Sequence, residues 1–156
     1  MQQFLELFHP NPGNGYLLVT TRVDEIADTL FSKIDAVDGK FAIALYGDGE
    51  FTGAKVEHID SLAKPFKAKP REYDRVIFYD IFTRHANKEL LLKLAYRTLA
   101  NAAEVIIVEQ KDTLHVESTK ELLESCEYRA PNHIEDILDG FDIFTARKMH
   151  MWGNGL

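Results

Sequence analysis

Two side chains suited to acid–base chemistry, Asp80 and His85, follow a short apolar run at residues 76–79, VIFY. A histidine has its ordinary pKa near neutrality, so it can serve as a general base. Open α/β sheets bind their ligands beyond the carboxyl ends of their strands. If residues 75–80 form a strand, Asp80 and His85 lie at that edge as candidate catalytic residues. The competing interpretation of His85 is a solvent-exposed loop histidine.

The residue types that most often bind metals do not have the spacing of a common site. No two histidines stand four positions apart or are separated by two residues, as in common zinc sites. The sequence also has no serine in a nucleophile elbow and no phosphate-binding P-loop. We therefore predict no metal. The histidines are His9, His58, His85, His115, His133 and His150.

Length, charge and cysteine content exclude several classes of protein. The 156 residues suffice for one domain with one core, and the formal net charge of −7 argues against nucleic acid as a partner. The basic segment 64–71, KPFKAKPR, is expected to be a solvated loop because two prolines interrupt it. No apolar run reaches the roughly 18 residues of a membrane span. With a lone Cys126 and no signal-like N-terminus, we expect a cytoplasmic protein without membrane contact.

Strand and helix patterns alternate along the chain. Apolar residues at helical spacing predict helices at 23–34, 87–99 and 118–125, the first capped by Thr21 with Asp24. Residues 134–146 are expected to form a closing hairpin or a helix and a strand. Short apolar runs predict strands near 16–20, 41–46, 54–59, 75–80 and 104–109, with an antiparallel strand near 141–148.

This alternation predicts an α/β fold. We expect a single-domain, Rossmann-like, doubly wound and mostly parallel sheet with an antiparallel C-terminal strand. An N-terminal arm at 1–15 and a C-terminal tail at 149–156 flank it. The tail carries Met149, Met151 and Trp152, which are costly to leave in water. We expect Trp152 to be mostly buried, either against its own domain or across the interface of a homodimer.

The order of these segments resembles the class I S-adenosylmethionine-dependent methyltransferases over about residues 15–148. The sequence VEHIDSLAKPF at 56–66 is similar to the end of the family's third strand, and YDRVIFYD at 73–80 to its fourth. Residues 87–99 are similar to a helix of the family and residues 103–109 to its fifth strand. Residues 121–129 are similar to its late helix and residues 141–148 to its final antiparallel strand.

The resemblance implies S-adenosylmethionine as the cofactor and suggests which residues would hold it. The turn Thr20–Thr21–Arg22 stands where the family contacts the methionine part. Asp48 stands where the family keeps an acidic ligand of the ribose, and Asp60 with Ser61 stands where it meets the adenine amino group. The ordinary alternatives are a helix cap for the threonines, a turn residue for Asp48 and a loop start for Asp60.

The turn after the first strand departs from the family's pattern. The family has an acidic residue and a Gly-x-Gly-x-Gly turn, in which glycines adopt positive φ and let the backbone approach the cofactor. Thr and Val are β-branched, so they disfavour a positive φ and keep the backbone further from a ligand. Arg22 adds a positive charge near a sulfonium.

Two functions therefore remain open. The first is S-adenosylmethionine-dependent methyl transfer to an unknown acceptor, driven by proximity and orientation, with Asp80 or His85 as a base. The second is a non-catalytic methyltransferase-fold module that has lost the cofactor site and acts in binding or assembly with a protein partner.

Overall fold

A computed structural model describes residues 1–149 of the chain. Four helices and seven strands alternate along these residues. The helices are α1 Gln2–Leu5, α2 Glu25–Asp35, α3 Lys88–Thr98 and α4 Val116–Ser125. The strands are β1 Gly15–Thr20, β2 Lys40–Leu45, β3 Lys55–His58, β4 Tyr73–Tyr79, β5 Leu99–Gln110, β6 Tyr128–Ile134 and β7 Phe141–Lys148.

The seven strands form one sheet in the order β3-β2-β1-β4-β5-β7-β6. Strands β1 to β5 are parallel, while β7 runs antiparallel to both β5 and β6. The predicted α/β fold class, with a mostly parallel sheet and an antiparallel C-terminal strand, is confirmed. Because β1 lies between β2 and β4, the chain winds outward in both directions from the β1–β4 pair, and such a switch point is where open α/β sheets bind ligands.

Each face of the sheet carries its own apolar core. One face packs against α1 and α2, with Leu30 and Ile34 of α2 fully buried. The other face packs against α3 and α4, where Leu91 and Leu123 are fully buried. Central strands such as β1 are buried along their whole length, as expected for parallel strands covered on both sides.

Helix α2 is capped by a different residue from the one predicted. Its N-cap is Asp24, whose carboxylate accepts a hydrogen bond from the backbone N–H of Ile26 at 2.9 Å. The Thr21 cap was wrong because the helix begins at Glu25, three residues too late for Thr21 to reach its first free N–H groups. The hydroxyl of Thr21 instead donates to the backbone carbonyl of Asp80, at 2.9 Å.

The last third of the chain also differs from expectation. The helix predicted at 118–125 is confirmed as α4, which ends at Ser125, and Glu127 leaves it with a φ of 75°. Strand β6 follows and pairs with β7, so the chain closes with a hairpin, but its first strand is Tyr128–Ile134 and not the predicted residues 134–138. No separate strand was predicted at β6 because its sequence, YRAPNHI, is polar, contains a proline and lies at the sheet edge.

The two ends of the chain were treated as an arm and a tail. The N-terminal arm packs onto the domain, because Phe4 and Phe8 are fully buried and the ring of Phe8 lies 5.8 Å from that of Tyr16. Of the tail, only Met149 is among the described residues, and it is 44% exposed. The prediction for Trp152 lies outside the described residues. Within residues 1–149, no helix is long and apolar enough to cross a membrane.

Helix α3 ends against a buried lysine from the last strand. The ammonium of Lys148 donates to the carbonyl oxygens of Tyr96 and Leu99, both at 2.8 Å, and lies 4.8 Å from the Tyr96 ring centre. Lys148 is 7% exposed, and this burial lowers its pKa. The lysine thus satisfies carbonyl groups that the end of a helix leaves without intrahelical partners.

We predict that Lys148→Met lowers the free energy of unfolding by about 2–3 kcal/mol, because it removes two charge-assisted hydrogen bonds from buried carbonyls. Urea unfolding followed by circular dichroism measures this. The control is Lys93→Met on α3, which removes only an exposed pair with Glu89 and should leave the free energy of unfolding nearly unchanged. Equal losses in the two variants would contradict the role given to Lys148.

Candidate functional site

The residues predicted to do chemistry lie at the carboxyl edge of the sheet, in two groups. The first group follows β2 and β3 and includes Asp48, Asp60 and Ser61. The second group follows β1 and β4 and includes Arg22 and Asp80. The β1–β4 switch point therefore lies within the second group, with the first beside it.

The first group lines an open cleft of about 720 Å³ at the ends of β2 and β3. Its polar walls carry three carboxylates and one ammonium group, so the cleft is acidic. His58 joins the two walls, since its Nδ1 lies 3.1 Å from the carbonyl oxygen of Gly47. The lining residues are Tyr46, Gly47, Asp48, Glu57, His58, Ile59, Asp60, Ser61, Leu62, Lys64 and Pro65.

The two aspartates of the cleft differ in their surroundings. Asp60 accepts a hydrogen bond from Lys64 at 2.7 Å, and this bond together with the charge of Lys64 lowers the pKa of Asp60. The Ser61 hydroxyl accepts from the N–H of Ala63 at 3.1 Å, which is a local turn contact. Asp48 is exposed between Gly47 and Gly49. The three residues predicted here, Asp48, Asp60 and Ser61, all line the same cleft. Their contacts with a ribose and with an adenine amino group stay a prediction.

The second group is organised by the side chain of Arg22. Its Nη2 donates to the hydroxyl of Tyr79 at 3.0 Å, and the guanidinium carbon lies 5.3 Å from the centre of that ring. Its Nε lies 3.3 Å from Asp24 Oδ2 and 3.4 Å from Asp80 Oδ2. The Tyr79 hydroxyl donates in turn to Asp24 Oδ2 at 2.8 Å. Arg22 thus crosses from the loop after β1 to the end of β4.

Asp80 is the buried charge of this group, with 2% of its surface exposed. Arg84 approaches its other oxygen, with Nε 3.4 Å from Oδ1, so two guanidinium groups share one carboxylate. The backbone of Asp80 is left-handed, with φ at 54°, a conformation that Asp tolerates better than most residues. Its carbonyl accepts from Thr21. These contacts hold the loops after β1 and β4 together.

The loop after β1 also lies directly against the loop after β2. Thr20 is fully buried, and its hydroxyl bonds to the N–H and the carbonyl of Arg22, at 3.2 and 3.0 Å. A Cβ at Gly47 would lie 3.1 Å from the carbonyl oxygen of Thr21, and one at Gly49 would lie 2.9 Å from a methyl group of Val23. Gly47 therefore makes room for the backbone of the loop after β1, and Gly49 for the side chain of Val23.

His85 is buried rather than solvent-exposed, with 4% of its surface accessible, so the exposed-loop interpretation was wrong. Its Nδ1 accepts from the N–H of Asn87 at 2.9 Å, which requires Nε2 to carry the proton and to donate to the carbonyl of Lys64 at 3.0 Å. The Tyr46 hydroxyl donates to the same carbonyl at 2.7 Å. In this arrangement both ring nitrogens are used in joining the loop after β4 to the loop after β3.

Sequence reasoning missed four polar residues at this edge. Asp24 was considered only as part of a helix cap, and Tyr79, Arg84 and Glu109 were given no role. Glu109 ends the apolar run of β5, is 1% exposed and accepts from the N–H of Thr83 at 3.0 Å. These residues could have been found from their positions at the ends of predicted strands, because ionisable residues that end neighbouring parallel strands meet at one edge of the sheet.

No protein-family model and no curated protein matches the sequence. Among solved structures, the chain is similar to a phosphoethanolamine N-methyltransferase of Haemonchus contortus in complex with S-adenosyl-L-methionine, with a TM-score of 0.71 and 12% identity, over 96% of this chain and 52% of that one. It is also similar to a SAM-dependent methyltransferase from Aquifex aeolicus, with a TM-score of 0.71 and 15% identity, over 94% and 88%.

A third similar structure is a TehB-like SAM-dependent methyltransferase from Corynebacterium glutamicum, with a TM-score of 0.70 and 13% identity, over 96% of this chain and 86% of that one. The chain spans about half the length of the Haemonchus protein. These likenesses confirm the fold that the sequence resemblance implied. The chain therefore has the fold of the S-adenosylmethionine-dependent methyltransferases.

The Tyr79 contacts predict a pH dependence of stability. Burial and the hydrogen bond to Asp24, partly offset by Arg22, raise the pKa of Tyr79 to about 12. Since the unfolded value is near 10, the stabilisation by the protonated hydroxyl is complete below pH 10 and is lost as the pH rises toward 12. The difference in urea midpoint between the unmodified chain and Tyr79→Phe should be constant from pH 7 to 9.5 and shrink above pH 10. A difference that shrinks between pH 7 and 9 would contradict these contacts.

Proposed function

We propose that the chain is a methyltransferase-fold module that binds a nucleoside in the cleft beyond β2 and β3 and does not transfer methyl groups. The observation that carries this proposal is the position of Arg22. Its guanidinium bridges the ends of β1 and β4, which is the side of the switch point where the family resemblance places the methionine part of the cofactor.

Charge is the first argument against the whole cofactor. S-Adenosylmethionine carries a permanent positive charge on sulfur, and Arg22 stays cationic because a guanidinium does not lose its proton in proteins. Two like charges about 5 Å apart repel by roughly 3 kcal/mol at the effective dielectric constant of such a site. Asp24 and Asp80 pair with Arg22 and offset part of its charge, so this value is the upper limit of the repulsion.

Shape is the second argument. In the family, glycines let the loop after the first strand approach the cofactor, whereas this loop carries β-branched residues, and its Thr21 carbonyl and Val23 methyl group lie close to Gly47 and Gly49. The same contacts leave the neighbouring cleft open, with Asp48 and Asp60 on its walls. Asp48 would accept from the ribose hydroxyls, and Asp60 with Ser61 would meet the adenine amino group, as the family resemblance implies.

The charge of the cleft limits the ligand further. Asp48, Glu57 and Asp60 are opposed by Lys64 alone among the lining residues, so a phosphate group would be repelled. A nucleoside without phosphates fits this balance better than a nucleotide. The physiological partner of such a module, including the homodimer expected through the tail, stays a prediction.

S-Adenosylmethionine-dependent methyl transfer is the second candidate, and the exposure of Arg22 favours it. The Arg22 side chain is 47% exposed, so its ion pairs are open to water and could be exchanged for bulk hydration. Methyl transfer would need Arg22 to swing out of the β1–β4 gap. It would also need Asp80 or His85 to exchange their present partners if either acts as a base. The similar Haemonchus protein, which binds S-adenosyl-L-methionine on this fold, supports the same candidate.

Calorimetry distinguishes the two candidates. We expect adenosine and 5′-methylthioadenosine to bind at micromolar concentrations and S-adenosylmethionine to bind at least about tenfold more weakly. Asp48→Asn should weaken adenosine binding by about 10- to 100-fold through loss of a charge-assisted hydrogen bond. The control Glu50→Gln removes an exposed carboxylate two residues away and should bind as before. Low-micromolar S-adenosylmethionine binding would favour the enzyme, and binding of none of these ligands would favour a module without a nucleoside site.

The role of Arg22 gives a separate prediction. Arg22→Ala should strengthen S-adenosylmethionine binding by about tenfold or more and leave adenosine binding unchanged, because it removes the like charge and its bulk without touching the cleft. Arg84→Ala is the matched control, since it removes the other guanidinium that pairs with Asp80. A variant at Arg22 that binds S-adenosylmethionine no better than the control would remove the central support of the proposal.

A further inference from the structure

Three potential metal ligands meet at the β6–β7 hairpin, two strands away from the switch point. His133 lies near the end of β6, Glu135 follows it in the connecting turn, and Asp142 lies near the start of β7. One ligand atom of each lies within 4.8 Å of those of the other two. Across the β5–β7 pair, Asp142 stands opposite Glu109. The cluster is therefore at the carboxyl edge of the sheet but outside the cleft and the Arg22 network.

Two of the three side chains are already fixed in place. Asp142 is 3% exposed, and its Oδ2 accepts from the backbone N–H of Asp112 at 3.0 Å. The ring of His133 stacks on that of Phe144, with centroids 4.7 Å apart and an interplanar angle of 23°. Such outer contacts are what hold metal ligands in orientation in known sites. Glu135 is exposed and free to adjust its side chain toward the other two.

The separation of the fixed pair fits a shared coordination sphere. His133 Nε2 and Asp142 Oδ1 are 3.0 Å apart. Adjacent ligands of an ion bound at about 2.0–2.1 Å stand roughly 3.0–3.4 Å from each other, for octahedral and tetrahedral geometry respectively. The hydrogen bond that now joins the two atoms can therefore be replaced by a metal ion with only a small movement.

We propose that His133, Glu135 and Asp142 form a site for a divalent cation of the Zn²⁺ type. One imidazole and two carboxylates suit Zn²⁺, while Mg²⁺ and Ca²⁺ favour sites built from oxygen ligands alone. On binding, the ion takes the Nε2 lone pair, so the proton on Nε2 moves to Nδ1 and the imidazole stays neutral. Three protein ligands leave a fourth position for water. The ion would tie the hairpin turn to the loop of Asp112 that precedes α4.

The sequence prediction of no metal considered the spacing between histidines, and this cluster contains only one. Its carboxylates come from the hairpin, whose pairing the sequence did not specify. Lys111, in the loop after β5, pairs with Asp136 at 3.5 Å, and its charge also acts on Glu135 and Asp142, so a bound cation has to compete with this ammonium group. The proposal is independent of the nucleoside cleft, since it shares no residue with it.

The test uses the full chain, purified without a histidine tag and treated with a chelator. Titration with ZnCl₂ in a calorimeter should show one ion per chain, and saturating Zn²⁺ should raise the melting temperature by roughly 5 °C. MgCl₂ at the same concentration should do neither. Co²⁺ added in place of Zn²⁺ should give the visible absorption of a four-coordinate site.

The variants decide whether these residues are the ligands. Glu135→Gln alters an exposed side chain and leaves the His133–Asp142 pair intact, so the fold is retained, and it should weaken Zn²⁺ binding at least tenfold. His133→Gln should weaken it further. The control Asp139→Asn, an exposed carboxylate in the same turn, should bind as the unmodified chain does. Absence of Zn²⁺ binding, or unchanged binding in either ligand variant, overturns the site.

Discussion

The structure of the carboxyl edge depends on the pairing of Arg22 with the buried carboxylate of Asp80. A buried carboxylate is costly without a partner, and removing one partner of such a pair typically destabilises a protein by several kcal/mol. Asp80 has two guanidinium partners, and one of them comes from the loop after β1. The need to neutralise this charge therefore holds that loop against the end of β4. The position of Arg22 follows from this constraint.

This chain has the fold of a methyltransferase without a glycine-rich turn after the first strand. The fold requires two apolar faces and parallel strands buried on both sides, which β1, β4 and β5 supply. The cofactor site requires a backbone that can approach a ligand after β1. Here glycines follow β2 instead, at Gly47 and Gly49, where they lie close to the Thr21 carbonyl and to a methyl group of Val23. The loop after β1 therefore occupies the space beside Gly47 and Gly49. The cleft at the ends of β2 and β3 stays open.

Local patterns in the sequence predicted most of the sheet, because a parallel strand covered on both faces is a continuous apolar run. Residues 41–45 and 105–108 are of this kind. Strand β6 was not recognised, since an edge strand with an exposed face and a proline has no such run. Local sequence patterns could not predict the Arg22 network, because Arg22 and Tyr79 are 57 positions apart and meet only through the pairing of β1 with β4. The burial of His85 likewise depends on the loop that follows β3.

The most direct test of the account is the state of the Arg22 guanidinium when ligand is present. Nuclear magnetic resonance can follow the Arg22 Nε–H signal in ¹⁵N-labelled protein, assigned by comparison with Arg22→Lys. The account predicts an Arg22 signal whose chemical shift is unchanged on addition of adenosine or S-adenosylmethionine, while backbone signals of Asp48 and Asp60 shift at micromolar adenosine and need at least about tenfold more S-adenosylmethionine. A change in the Arg22 chemical shift together with shifts at Thr20 and Thr21 on adding S-adenosylmethionine would contradict it.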